Sequence, residues 1–283
     1  MLSGPSRGQP FRVILSKKVS ELMDRRLAVE TAVPPTARVS EMRNLIKRLG
    51  TRILAVVDNG KLVGIVTRGS LLLVTSSKSE ANAKSLAENP KVLLTPDQPV
   101  LNAVDNMIKA DEWEVPVVND KDRFAGIFGL GDFLKGLASE CKDSLTSLKV
   151  EDFMTRDPVS ISEEDSVSKI WSKMVELKYA GLPVTDSNGK LVGMITQYDL
   201  LSKGYSRIHL ESETGASKGP RVRDVMTRGA VFVYPWSSIY DAVLLMVKNG
   251  YGRIPVVNSN KDLKLVGIID REDVARLVVS YGS

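Results

Sequence analysis

The chain has 283 residues, 43% of them hydrophobic and 26% charged, so it can bury a sizeable core as two ordinary domains or one large one. Cys141 is the only cysteine, which excludes an intrachain disulfide and a zinc site built on a cysteine cluster. No apolar stretch approaches the ~18 residues of a membrane span, and the opening MLSGPSRGQPFRVIL lacks the long apolar segment of a secretory signal. A cytoplasmic protein without membrane association is expected. The net charge of +5 is unevenly spread: residues 1–84 hold 15 Lys/Arg and 6 Asp/Glu (+9), and residues 85–283 hold 24 and 28 (−4). Such a basic first third could face phosphates, nucleic acid or an acidic partner. No aromatic residues interleave with Lys17-Lys18, Arg25-Arg26 or Lys47-Arg48, so base stacking gains no support there.

Along the chain one motif occurs four times: LVGIVTRGSL (62–71), FAGIFGLGDF (124–133), LVGMITQYDL (191–200) and LVGIIDREDV (265–274). Its glycines, Gly64, Gly126, Gly193 and Gly267, lie 62, 67 and 74 residues apart. Before each comes an apolar run (ILAVVD, EVPVVN, GLPVTD, RIPVVN) and a turn (NGK, DKDR, SNGK, NSNKDLK), the pattern of a β-hairpin. Four copies predict four homologous units. In the third, a short helical turn ends at Met154-Thr155, and Val159 and Ile161 alternate as a strand. Val167, Ile170, Trp171 and Met174 then recur at helical spacing, with Asp165 or Ser166 as N-cap. Trp171, Met174 and Met246 read as core. The expected division is a tail (1–16), unit 1 (17–76), unit 2 (85–137), unit 3 (148–204), a linker (205–221) and unit 4 (222–281).

Where the second hairpin strand hands over to a helix, a pair of residues stands three apart: Thr67 and Ser70, Gly129 and Asp132, Thr196 and Asp199, Asp270 and Asp273. Such a pair can simply cap the helix. A carboxylate there can also accept hydrogen bonds from the two ribose hydroxyls, and the helix N-terminus offers free N–H groups to phosphate. The third copy has both a hydroxyl and a carboxylate. The fourth has two carboxylates, the second lacks the hydroxyl and the first lacks the carboxylate.

The DxMT lead-in, the apolar-Pro-Val strand, the GxhT/D strand end and the helix start resemble the cystathionine-beta-synthase-type (CBS) domain, over roughly residues 17–280. Four units with no other domain are similar to the gamma subunits of AMP-activated kinases and to free-standing archaeal proteins. The resemblance implies an α+β fold of four β-α-β-β-α units, in two pseudo-twofold pairs forming a disk. It also implies adenosine-nucleotide binding in clefts between paired units, with Thr155 and Thr227 at positions that touch the adenosine. The expected site is therefore Thr155, Gly181, Leu182, Pro183, Thr196, Asp199, Thr227, Arg253, Ile254, Pro255, Asp270 and Asp273, with Asp132 a weaker member. Arg253 suits a phosphate and Glu114 would repel one. Gly181 and Gly252 would let adenine approach the Leu182 and Ile254 strands, so residues 150–280 are the better binding module.

The only histidine, His209, lies in the linker near Arg207, Lys218 and Arg221, so catalytic triads and histidine metal clusters are not expected. The chain also lacks a GxxxxGK[ST] loop and a GxGxxG after a strand. The leading expectation is a regulatory protein, not an enzyme. It would exchange AMP, ADP or ATP as ligands, with no catalytic cofactor or metal, and act on a kinase-like or other regulated partner as a monomeric disk or homodimer. The alternatives are an interaction module that binds nucleic acid or protein through its basic first unit, and a binder of another adenosine compound such as S-adenosylmethionine.

Overall fold

The computed structural model describes residues 10–24, 29–74, 81–119, 121–176, 179–205 and 219–281. Each unit has a long amphipathic helix, a β-hairpin and a second helix. In the third these are Val167–Glu176, Gly181–Thr185 with Leu191–Thr196, and Gln197–Ser202. In the first they are Val39–Leu49, Ile53–Asp58 with Lys61–Thr67, and Arg68–Leu73. The long helices form because apolar residues recur on one face, as with the buried Val39, Met42 and Ile46. Gly50 ends that helix in the left-handed conformation at φ 69°, where glycine has no Cβ penalty.

The repeated glycines share one position in the hairpin. In all four hairpins the register slips directly after the residue paired with that glycine: Val56 with Gly64, Val117 with Gly126, Val184 with Gly193 and Val256 with Gly267. A Cβ on Gly193 would lie 2.6 Å from the Thr227 carbonyl oxygen, and one on Gly267 would lie 2.6 Å from Met154 Sδ. Another backbone crosses there, and only glycine admits it.

That crossing backbone comes from the neighbouring unit. Thr227–Arg228, ahead of unit 4, pairs with the unit 3 strand, Thr227 opposite Met194. Thr155–Arg156, ahead of unit 3, pairs with the unit 4 strand, Thr155 opposite Ile268. The lead-in turns are thus exchanged within a pair, so the contiguous units read from the sequence are not self-contained. A linear repeat shows that the turn exists but not which hairpin it docks on.

Hairpins join units 1 and 2, where Phe124 N donates to Gly60 O at 3.0 Å, and units 3 and 4, where Leu191 N donates to Leu263 O at 2.8 Å. Helices join the two pairs. Phe133, Leu137, Val243, Met246 and Val278 share one core between units 2 and 4. Met42, Ile46, Ile170, Trp171 and Leu200 share the other, between units 1 and 3. Hairpin contacts and helix contacts alternate around the ring, which closes as the disk, and the four helix starts converge towards its middle.

Candidate functional site: a central cleft lined by ribose-type carboxylates and arginines

At the third helix start, capping and cleft formation coexist in one side chain. Asp199 Oδ2 accepts from Thr196 N (2.8 Å) and Thr196 Oγ1 (2.6 Å), and Asp199 N donates back to Thr196 Oγ1 at 3.1 Å. Its other oxygen, Oδ1, takes a long contact of 3.3 Å from Thr227 Oγ1 on the neighbouring unit. One oxygen therefore holds the helix while the other faces the cleft with an exposed hydroxyl beside it. Asp132 repeats the arrangement, its Oδ2 accepting from Gly129 N at 3.1 Å, but Lys135 pairs with its Oδ1 at 3.2 Å. Thr67 and Ser70 cap each other without a carboxylate.

The four helix starts fall into two clefts. Thr196, Asp199, Gly129 and Asp132 line one of about 600 Å³, together with Thr227, Ala230, Val231 and Met194. Thr67, Asp270 and Asp273 line the other, of about 640 Å³. Both volumes fall in the range of small-molecule sites, roughly 300–1,000 Å³.

Arginines from units 1 and 4 converge on the first cleft: Arg52, Arg68, Arg253 and Arg271 all line it. Arg52 lies over the Trp113 ring at 4.1 Å, and Arg253 is 5.5 Å from the same ring. Arg68 lies 5.6 Å from the Tyr198 ring and donates to the Gly50 and Thr51 carbonyls, while its buried Nε has no hydrogen-bond partner among the described residues. Burial, with repulsion from Arg68, pushes the Arg52 guanidinium down to about 9, still charged at neutral pH. Burial lowers Arg68 and Arg271 as well. Glu114 is the counter-charge at the centre, and its Oε2 accepts from Thr51 Oγ1 at 2.6 Å and Arg52 N at 2.7 Å. Glu114 therefore orders the cluster, whereas the sequence suggested only repulsion of phosphate.

Arg52, Arg68 and Arg271 were not foreseen, although a signal existed. Arg68 and Arg271 each follow the N-cap as the first residue of a helix, where the macrodipole disfavours a cation. A locally unfavourable charge in two of four aligned repeats points to use elsewhere.

The other expected residues are placed as follows. Arg253 donates to the Gly181 carbonyl at 2.9 Å and lies 3.7 Å from Asp270, so it spans the two clefts. A Cβ on Gly181 would meet Thr196 Cγ2 at 2.9 Å, and one on Gly252 would meet the Trp113 ring at 2.9 Å. Thr196 and Trp113 thus take the space a side chain would need, and both glycines line the first cleft. Leu182 and Ile254 are buried and offer only main chain, behind Pro183 and Pro255, which are buried too. Thr155 is exposed and lines neither cleft. The basic helix carrying Lys47 and Arg48, distant in sequence, lies against the Asp199 helix, since Tyr198 Oη donates to Lys47 O at 2.9 Å. Arg48 pairs with Glu30 at 3.5 Å. Arg207, His209 and Lys218 lie outside the described residues. Among the described residues no helix is long and apolar enough to cross a membrane.

Asp270 and Asp273 share the second cleft. Asp270 N donates to Asp273 Oδ2 at 2.8 Å, and Asp270 Oδ1 caps the helix through Glu272 N and Asp273 N. Burial, and then the neighbouring Asp270 charge, push Asp273 up to about 7 from 3.8. A raised folded-state value means that the folded state holds a proton which the unfolded chain releases at about pH 4. The stability this proton provides is full below about pH 4 and is lost as pH rises through about 7. Asp273→Asn keeps the acceptor without the charge. It is expected to be about 1–2 kcal/mol more stable than wild type at pH 8, with the gain vanishing near pH 4, as read from urea midpoints at both pH values.

This ring of four paired α+β repeats, with ligand-sized clefts at the helix starts, is the architecture of a CBS protein. The chain belongs to the CBS-domain family, whose model matches residues 19–76, 83–139, 150–205 and 222–280. It is 28% identical over 277 residues to uncharacterized protein MJ1404 of Methanocaldococcus jannaschii, covering 95% of this chain and 63% of that protein. It is 24% identical over 267 residues to MJ1225 of the same organism, covering 86% and 93%. The crystal structure of MJ1225, described as a candidate archaeal homologue of g-AMPK, has the same fold, with a TM-score of 0.78, 21% identity, and 92% and 99% of the two chains covered. CBSX2 of Arabidopsis thaliana, solved in complex with AMP, matches 48% of this chain and 99% of its own at 34% identity, with a TM-score of 0.41.

Proposed function

We propose that this protein is a regulatory binder of adenine nucleotides in its central cleft, where Asp199 holds the ribose and the arginines hold the phosphates. The observation that carries the reading is the convergence of the Asp199 carboxylate with four arginines on the first cleft, of which Arg52, Arg68 and Arg253 also line the second and Arg271 the first alone. Thr227 adds a hydroxyl beside Asp199, and Ala230, Val231 and Met194 provide an apolar surface for a base. The arginines favour a phosphorylated ligand over S-adenosylmethionine, whose sulfonium they would repel.

Regulation follows from which units supply the groups. Asp199 belongs to the second pair, and Arg52 and Arg68 to the first. A nucleotide whose phosphates reach those arginines ties the two pairs together, and one that stops short does not. Ligands of different phosphate count then favour different arrangements of the pairs, which a regulated partner reads. Native mass spectrometry of protein purified without added nucleotide is the test. A retained mass of AMP, ADP or ATP is expected, and retention of S-adenosylmethionine instead would overturn the reading. Arg253→Ala is expected to weaken ATP and ADP more than adenosine, because an arginine aimed at phosphate contributes nothing to a ligand without one. Equal losses in calorimetric titration would assign Arg253 to the Gly181 and Asp270 contacts alone.

A further inference from the structure

We infer that the outer turn of unit 4 docks an arginine side chain of a partner protein, stacked on the open face of Trp236 and paired with Glu151. The turn lies away from the clefts. Val231 lines the first cleft, and the chain runs outward from it beside the Arg253–Val257 strand, with Val233 paired to Val256, into the turn 234–237. Ser237 N closes this turn on Tyr234 O at 3.0 Å. Units 1, 2 and 3 have the same turn, closed from Ala37 to Pro34, Gln98 to Thr95 and Asp165 to Ser162. Only unit 4 builds it with a column of rings. Phe232 meets Tyr234 edge-on at 5.7 Å, and Tyr234 stacks on Trp236 at 5.0 Å with the planes 5° apart. Tyr234 covers one face of the indole, yet Trp236 is 56% exposed, so its other face is open. The turn itself does not need the rings. Thr36, Asp97 and Glu164 stand at the position of Trp236, and Pro34, Thr95 and Ser162 at that of Tyr234.

The lead-in segment beside each turn shows what the open face lacks. In every unit it donates a backbone N–H to the second turn residue, Lys84 to Pro35, Ser20 to Pro96, Arg223 to Glu163 and Glu151 to Pro235, at 2.9–3.0 Å. Where the third turn residue is an acid, the lead-in carries its cation: Lys18 pairs with Asp97 at 2.8 Å, and Arg223 pairs with Glu164. The Arg223–Glu164 pair also shows that side chains at these two positions reach each other. In unit 4 the signs are reversed. The turn presents an indole, and the lead-in presents Glu151 where unit 3 has Arg223. Glu151 is exposed and forms no ion pair among the described residues. Arg156 Nη2 donates to the Glu151 backbone carbonyl at 3.1 Å. Lys149, aligned with Lys18 by its bridge to Ser238, has no acid on this turn to hold. A guanidinium satisfies both open groups at once, because its plane stacks on an indole and its edge pairs with a carboxylate. A nucleobase would bring phosphate beside the exposed Glu151 and Asp152. An aromatic side chain would leave Glu151 without a counter-charge. Tryptophan, tyrosine and arginine are also the residues that dominate interface energetics.

The test is fluorescence anisotropy of the full chain with two labelled peptides, one of alternating proline and arginine and one of alternating proline and lysine. The wild type is expected to bind the arginine peptide at least about threefold more tightly than the lysine peptide, because only the guanidinium stacks. Trp236→Thr installs the residue that unit 1 carries in the same turn, so the fold is kept. It should lower arginine-peptide affinity about five- to tenfold and erase the preference. Glu151→Gln should weaken both peptides about threefold or more while leaving the preference in place. No binding of the arginine peptide at millimolar protein, equal binding of the two peptides, or a preference unchanged in Trp236→Thr would overturn the inference. So would tighter binding of a uridine oligonucleotide, which assigns the face to nucleic acid, or a wild-type dimer in sedimentation that Trp236→Thr dissociates, which assigns it to a second copy of the chain.

Discussion

Replacing Asp199 with alanine is expected to weaken adenine-nucleotide binding about ten- to a hundredfold, and Asp132→Ala to weaken it less. A charged acceptor shared by two hydroxyls contributes roughly 1.5–3 kcal/mol, which sets the size of the loss. Asp199 has an oxygen facing the cleft, with Thr227 beside it and Thr196 holding the other oxygen. Asp132 has no hydroxyl partner at Gly129 and is held by Lys135 at 3.2 Å, so a ribose must displace an existing ion pair. Asp199 also caps its helix, and loss of a cap costs about 1 kcal/mol of stability. Asp199→Asn keeps an acceptor for Thr196 N and separates the two effects. Titration of the three variants with ATP decides the matter: equal losses at Asp199 and Asp132 would show that the ribose is not held preferentially by unit 3.

Arg68→Ala is expected to lower ATP affinity by about tenfold or more while changing adenosine affinity little. A charge-assisted contact to phosphate contributes roughly 1.5–3 kcal/mol and is absent for a ligand without phosphate. Arg68 lines the cleft from unit 1, whereas Asp199, the carboxylate proposed for ribose, belongs to unit 3. Its guanidinium is held by the Gly50 and Thr51 carbonyls and the Tyr198 ring. Arg68→Lys retains the charge without the fork and should recover part of the ATP affinity. If ATP and adenosine lose affinity equally in Arg68→Ala, the residue shapes the cleft rather than binding phosphate.

Much of the fold was legible because local rules and the repeat agreed. The Gly64, Gly126, Gly193 and Gly267 motif marked the hairpins, and helical spacing placed Trp171, Met174 and Met246 in the core, where they are 4%, 1% and 0% exposed. The repeat also aligned the helix starts, so the unequal pairs at Asp199 and Asp132 could be ranked before any contact was known. What could not be read was placement across units. Thr227 meets Asp199 only because the lead-in segments are exchanged. Arg52 and Arg68 belong to a unit whose own carboxylate is missing, so reading each unit alone dismissed the half of the chain that supplies charge to the cleft. Glu114 looked like a repellent because its partners, Thr51 and the Arg52 backbone, lie more than sixty residues upstream. That Thr196 and Trp113 pack where side chains at Gly181 and Gly252 would stand was likewise not visible in the sequence.

The central claim is that the cleft selects a phosphorylated adenosine ligand. Calorimetric titration of the wild-type chain with ATP, ADP, AMP, adenosine and S-adenosylmethionine under one buffer tests it most directly. The expected result is saturable binding of the nucleotides, with adenosine and S-adenosylmethionine at least about tenfold weaker, because each lacks the group that four arginines are placed to hold. Equal binding of adenosine and ATP, tighter binding of S-adenosylmethionine, or no binding of any nucleotide would contradict it.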